Sequence, residues 1–526
     1  MSAKSRWVSV LAVALLAVAF VVTAVLGGGN VGESSDSLFS RKETINLWYT
    51  DDAMTDFLNS AAVAYTESQN AYRIEPTLID ATDYIQTLYD ASVEGEDFPD
   101  VFIVSNDYLE RLWLTGLASE IVDEEHFGAA SSENTDEEES ESSGDDIQET
   151  DAAEDDTGAD AEDETEKTAA ADDAADGTGT ETDEDADDAA AADTAAEAEG
   201  SSYFCEAALN AVTYQDMILG YPLSFEAAAF LYNEEYLQTM ADTAGISLKE
   251  AIPGTMMDVI TLANSYDAPS NVSAVLKWDV SDIFYNYCFL GYYMSIGGET
   301  GDNTDVLRVY NQQLISCLQV YQQLNQFFSI DTSSDDYESV TQDFAEGEIV
   351  FTLATSDAVE TITQYCEENG TELNYGVTSI PDLTSSLHSK TLSITNCMVI
   401  NGYSANKEAA QAFIQYVIFE NMDSFYSQTG KLPALEGIAF EDEHLEGFYE
   451  AYVDSAPITK LRSASNFWML LENTFAQVWD GEDPNEQLRL LCEQLLIQMT
   501  GQDTVTVNAI EDPEYIDIQS ELSGGE

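Results

Sequence analysis

Apolar and polar positions alternate along this chain with two different periods. Ile45-Asn46-Leu47-Trp48-Tyr49-Thr50 is a short, largely apolar run of the kind that forms a buried strand. Asp51 and Asp52 follow, suited to cap a helix, and Met54, Phe57, Leu58, Ala61 and Tyr65 then recur at helical spacing. Tyr72 to Ile79 predicts a second strand and Asp83 to Val93 a second helix. Asp100-Val101-Phe102-Ile103-Val104 predicts a buried strand, followed by a helix through Leu109, Leu112 and Trp113 to Gly116. Strands and helices in strict alternation predict an α/β architecture, with a parallel sheet and crossover helices.

The pattern stops between about Ala129 and Gly200, a low-complexity stretch of Asp, Glu, Ala, Thr and Gly. Such a segment buries too little apolar surface to offset its ordering entropy, so a disordered, solvated insert is expected. It lacks the spaced ligands and fixed glycine of a calcium loop. Alternation resumes near Tyr203 and runs to Met499. The last helix opens at Asp483-Pro484, with Leu488, Leu491, Leu495 and Met499 on one face. Residues 502–526 form an acidic tail.

At the other end, Lys4 and Arg6 precede an apolar run from Trp7 to Leu26. Its length suits one bilayer crossing, and the preceding positive charges keep the N-terminus inside. Residues 1–26 read as a signal anchor, cleavage near Thr23-Ala24 being the alternative. Residues 27–43 then serve as a flexible tether. The protein is expected on the outer face of the cell membrane, or secreted if the signal is cleaved.

Charge narrows the partners. Among 526 residues, 16 Lys+Arg stand against 101 Asp+Glu, a formal net charge of −85, and about 30 of those acids fall in the insert. A field of that sign repels nucleic acid. Cys205, Cys288, Cys317, Cys366, Cys397 and Cys492 show no CxxC, and His126, His388 and His444 are the only histidines. A zinc or iron–sulfur site is therefore unsupported, no cofactor is expected, and most thiols read as small buried hydrophobes, one disulfide remaining open.

The order of several segments resembles extracellular solute-binding proteins of the maltose-binding type, which serve ABC importers. The resemblance rests on Leu47-Trp48-Tyr49-Thr50-Asp51-Asp52, on Pro99-Asp100-Val101-Phe102-Ile103, and on Leu219-Gly220-Tyr221-Pro222 with Glu226 and Leu231-Tyr232-Asn233. It continues through Phe344-Ala345-Glu346-Gly347-Glu348-Ile349, Asn374-Tyr375-Gly376-Val377 with Ile380-Pro381, and Asn406-Lys407-Glu408-Ala409-Ala410. Gly430-Lys431-Leu432-Pro433-Ala434 and Phe467-Trp468 complete the series. The resemblance implies a two-lobed periplasmic-binding-protein-like fold with hinge crossings. Lobe one is expected over residues 44–224, with the insert at 129–200, and again over 382–440. Lobe two takes residues 225–381 and 441–501. A monomer is the family's default state.

A sugar offers hydroxyls on its rim and apolar C–H faces, so its site needs carboxylates, amides and aromatic rings. Asp51 and Asp52 leave the first strand at its carboxyl end, and Asn106 and Asp107 lie just beyond the third. Both pairs read equally as ligand groups or helix caps. Glu226 precedes an apolar run where a lone carboxylate needs a reason, and the resemblance matches it to a ligand-contacting glutamate. By the same resemblance Trp468 is a stacking tryptophan, a core tryptophan on an amphipathic helix being the alternative, while Trp278, Asp279, Tyr285 and Tyr287 lie in a region that supplies aromatics, although tyrosines at this density more often form core than site. Ala354-Thr355-Ser356-Asp357 departs from the family by placing a carboxylate, Asp357, where relatives carry a ring. That exchange favours a smaller or more polar solute than a long maltodextrin.

The implied function is capture of a sugar or short oligosaccharide by hinge closure, followed by delivery to ABC permease subunits. A membrane-anchored solute sensor with the same fold is the alternative. A glycoside hydrolase fits poorly, because adjacent carboxylates on one loop do not flank a scissile bond.

Overall fold

The computed structural model describes residues 42–95, 97–128, 202–265, 267–328, 330–440 and 442–519. The expected anchor at 1–26, nearly all of the tether, the insert at 129–200 and the end of the acidic tail lie outside the described residues. Among the described residues no helix is long and apolar enough to cross a membrane.

Two sheets organise the chain. The larger has seven strands, in the order Leu432–Pro433, Tyr221–Ala227, Leu392–Ile400, Val101–Ser105, Glu43–Tyr49 and Tyr72–Leu78, with Ala456–Pro457 paired to the start of Leu392–Ile400. Glu43–Tyr49 runs parallel to both its neighbours, so the first three strands end on one edge. Leu392–Ile400 is antiparallel to Val101–Ser105 and to Tyr221–Ala227. Asp100 locks the start of the third strand: its carboxylate is buried and accepts from Asn46 N at 2.9 Å and Ser404 Oγ at 2.6 Å.

The smaller sheet has four strands, in the order Tyr375–Thr378, Ala229–Asn233, Ile349–Ala354 and Ala274–Lys277. One face of it packs on a second core that includes Phe230, Trp278, Phe289, Tyr321, Phe351 and Trp479, while Leu231, Ile349 and Ala354 on the other face join the cluster of the larger sheet. Each sheet thus anchors one lobe.

Three segments cross between them. The first is one extended run: Tyr221–Ala227 ends in the larger sheet and Ala229–Asn233 begins in the smaller, with only the fully buried Ala228 between. The crossing lies at Ala228, later than the expected boundary at residue 224, because Phe225 and Ala227 still pair with Leu392–Ile400. The second spans residues 379–391, where Asp382 accepts from His388 Nδ1 at 2.8 Å. The third follows helix His444–Val453. That helix packs on both sheets, Tyr452 stacking on Phe225 of the larger and His444 on Tyr375 of the smaller, so it lies where the lobes join.

Residues 502–518 are strapped to lobe two. Ile510 N donates to Tyr310 Oη at 3.1 Å, Gln323 pairs with Ile516 O and Ile518 N, and Ile518 is fully buried.

Lys460, on the third crossing, is buried and donates to the carbonyls of Asn210 in lobe one and Thr300 in lobe two. Burial drives its pKa down from 10.5 to about 8, against the opposing charge of Asp302. Below about pH 8 the folded chain bears the full cost of burying the ammonium, and that cost disappears as pH rises towards 10.5. Relative to Lys460→Met, the native chain should therefore gain stability on raising pH from 8 to about 10, read as a rise of its urea midpoint relative to that of the variant.

Candidate ligand-binding cleft

In open α/β sheets ligands gather where strands end, because the loops there are free to carry polar groups. The carboxyl ends of the first three strands border a cavity of about 440 Å³. Tyr49 and Asp51 line it from the first strand, Asp83 and Tyr84 from the turn after the second, and Ser105, Tyr108 and Arg111 from the third. Ser224, Asn396 and Lys431 close the far side.

Asp51 is a cap and also faces the cavity. Its Oδ1 accepts from Ala53 N at 3.1 Å, capping the turn Asp52–Met54, while its Oδ2 accepts from Lys431 Nζ at 2.8 Å inside the cavity. Lys431 also lies 3.6 Å from Glu226 Oε1, so one ammonium joins two of the expected site carboxylates. Burial alone would depress the Lys431 pKa. The hydrogen bond it donates to Asp51 and the charge of Glu226 outweigh it and push the value up. Asp83 caps helix Tyr84–Glu94 without a side-chain bond and holds a left-handed backbone, φ 57°. An acidic residue accepts that conformation more readily than most.

The remaining lobe-one candidates sit off the cavity. Asp52 is exposed on the capping turn. Asn106 is buried and its Oδ1 accepts from Thr395 N at 3.1 Å, fastening the third strand's end to Leu392–Ile400. Burial pushes the Asp107 carboxyl upward, a hydrogen bond from Ser105 opposing, and its Oδ1 has no hydrogen-bond partner among the described residues.

In lobe two the candidates divide. Trp278 is fully buried, its Nε1 donates to Asn286 Oδ1 at 2.9 Å, and Trp479 packs edge-on at 5.8 Å. This ring is a core element, a correction to its expected place in the site. Asp279 is likewise structural: it accepts from Ser281 N at 2.9 Å and Tyr337 N at 3.1 Å, fixing the start of helix Tyr337–Ala345. Tyr285 is buried and stacks on Tyr337, with ring centres 5.0 Å apart and planes 12° apart. Tyr337 Oη donates to Asp357 Oδ1 at 2.9 Å and lies 3.0 Å from Thr355 Oγ1. Tyr285, Tyr337, Thr355 and the exposed Asp357 thus form one cluster at the end of strand Ile349–Ala354. Burial raises both tyrosine hydroxyls far above their ordinary range. Tyr287 is buried, with its ring 5.6 Å from that of the half-buried Trp468.

The lobes meet around this region. Gln215 N donates to Asp302 Oδ2 at 2.6 Å, and Arg462 N donates to the Glu110 carboxylate. Sequence reading passed over Lys431, Tyr337, Asp83, Arg111 and Asn396. The available signal was a lysine inside Gly430-Lys431-Leu432-Pro433-Ala434 in a chain with only 16 basic residues. Among the described residues no group of three His, Cys, Asp or Glu could hold a metal ion.

Two lobes joined by three crossings, with polar strand ends between them, define a binding protein that closes on a solute. Residues 136–448 match the family model of bacterial extracellular solute-binding proteins, and the chain belongs to that family. The fold is similar to the maltose-binding periplasmic protein MalE of Listeria monocytogenes in complex with maltose, with TM-score 0.61, 17% identity, and coverage of 89% of this chain and 100% of that one. A Staphylococcus aureus extracellular solute-binding protein in complex with maltose gives TM-score 0.61 and 15% identity over 88% of this chain and 98% of that one. A cyclo/maltodextrin-binding protein complexed with maltotetraose gives 0.62 and 13% over 90% and 100%. No curated protein sequence matches the chain.

Trp278→Ala should cost about 3–5 kcal/mol of stability, the range for deleting a buried aromatic, whereas Trp468→Ala should cost far less. Chemical denaturation of the two variants checks that the first ring is sealed in the core and the second, half-buried, is not.

Proposed function

We propose that the chain captures a sugar or short oligosaccharide outside the cell by closing its two lobes, and passes it to the permease of an ABC importer. The observation that carries this reading is the 440 Å³ cavity at the ends of three strands, lined by carboxylate, guanidinium, ammonium, amide and hydroxyl groups beside tyrosine rings. That volume lies in the range of small-molecule sites, and the mixture of donors and acceptors suits a polyhydroxylated neutral guest. Family membership and the maltose and maltotetraose held by proteins of like fold support it.

In this reading lobe one supplies Asp51, Glu226, Lys431 and the cavity's polar rim. Lobe two supplies Trp468 as a stacking face, together with Tyr337 and Asp357. A solute touching both lobes stabilises the closed form, which is the form the permease receives. The carboxylate at Asp357, already hydrogen-bonded to Tyr337, favours a short or polar sugar over a long maltodextrin. The apolar run Trp7–Leu26 would keep the protein beside its permease and raise the local concentration. The site binds and releases without chemistry, so maltotriose incubated with the protein should be recovered intact.

A thermal-shift screen of the full chain against neutral mono-, di- and trisaccharides should yield at least one that stabilises it. The gain should be about 2.7 kcal/mol at one hundred times the Kd. Trp468→Ala should weaken that sugar about tenfold by calorimetry, through loss of ring stacking. Silence across the whole collection would sink the reading.

A further inference from the structure

We infer that Lys431 is a specificity-determining residue of the cleft, holding Asp51 and Glu226 together as one acceptor pair and biasing that pair towards neutral rather than cationic sugars. The inference rests on the sugar-capture reading and deepens it by assigning the charge class of the guest.

Backbone geometry fixes Lys431 in place. Gly430, at φ +65°, ends helix Phe425–Thr429 in a left-handed turn that side chains rarely adopt. Thr429 Oγ1 then accepts from Lys431 N at 3.1 Å. Leu432 and Pro433 pair with Phe225 and Ser224, and one step further along this antiparallel register Lys431 stands opposite Glu226. The edge strand is held by these backbone pairs, so the lysine side chain is free for another task.

The ammonium spans two elements distant in sequence, 2.8 Å from Asp51 and 3.6 Å from Glu226, on a side chain only 23% exposed. An ammonium has three donors, and among the described residues no third acceptor takes one from Lys431. One N–H is thus left for a ligand oxygen, while each carboxylate keeps lone pairs for ligand hydroxyls. Without the cation, Asp51 and Glu226 would be left as two uncompensated negative charges at the cleft. Such a pair attracts a cationic guest. Asp83 and Arg111 line the same cavity and are common to native and variant proteins, so their charges cancel in the comparison.

The test is calorimetry on the full chain, native, Lys431→Met and Lys431→Arg, with maltose and with a deacetylated glucosamine disaccharide that carries ammonium groups. Lys431→Met should bind maltose about tenfold more weakly and shift its preference about tenfold towards the glucosamine disaccharide. Lys431→Arg should restore the maltose preference. If Lys431→Met keeps the native sugar preference, the lysine is merely structural and the inference fails while sugar capture stands. If the native chain binds neither sugar, the inference fails together with the capture of such sugars. Melting curves of all three proteins separate either result from misfolding.

Discussion

Everything in the molecule hangs on one run of extended backbone, Tyr221 to Asn233, that belongs to both sheets. Seven residues pair within lobe one, five within lobe two, and the single residue between them, Ala228, is fully buried. A β-ladder is stiff along its hydrogen bonds, so rotation between the lobes concentrates where pairing changes partner. Glu226 stands two residues before that point and pairs with Ile394. The carboxylate that resemblance assigns to the ligand is therefore among the polar groups closest to the pivot, where it moves least as the lobes swing.

Charge is the second constraint. With 101 acidic and 16 basic residues, self-repulsion is the background against which any site must be built. Yet the cavity lining carries Arg111 and Lys431 beside Asp51 and Asp83, a balanced set within a strongly acidic chain. Cations this scarce are spent where geometry needs them. Lys277 lies between Asp335 and Asp343, Lys460 spans both lobes at the third crossing, and Lys431 joins the ends of two strands.

Much of this was readable beforehand, and the limits have physical causes. The strands at Glu43–Tyr49, Tyr72–Leu78 and Val101–Ser105, and the helices after them, follow from local periodicity, which needs no tertiary information. Asp51 was legible as cap or ligand because both tasks use the same oxygen chemistry; the structure gives one oxygen to the cap and the other to the ion pair with Lys431. Trp278 and Trp468 were not separable. Nothing local marks which ring is sealed, and only the packing of Trp479 and Phe289 buries the first. Lys431 was quoted as part of a motif and given no task, because its two partners are remote in sequence, Glu226 meeting it through sheet register and Asp51 through the fold.

The six cysteines all remain free thiols, and Cys205, Cys288, Cys317 and Cys397 are buried. A family member working outside the cell meets oxidants there, and burial drives the thiol pKa upward, to about 12 at Cys317 and Cys397, so the reactive thiolate is scarce while the fold persists. Maturation then requires no oxidative folding catalyst. The same arrangement ties chemical ageing to unfolding: each excursion that opens a core exposes sulfur to cross-linking, and the lifetime of the exported molecule becomes a matter of how seldom its interior breathes.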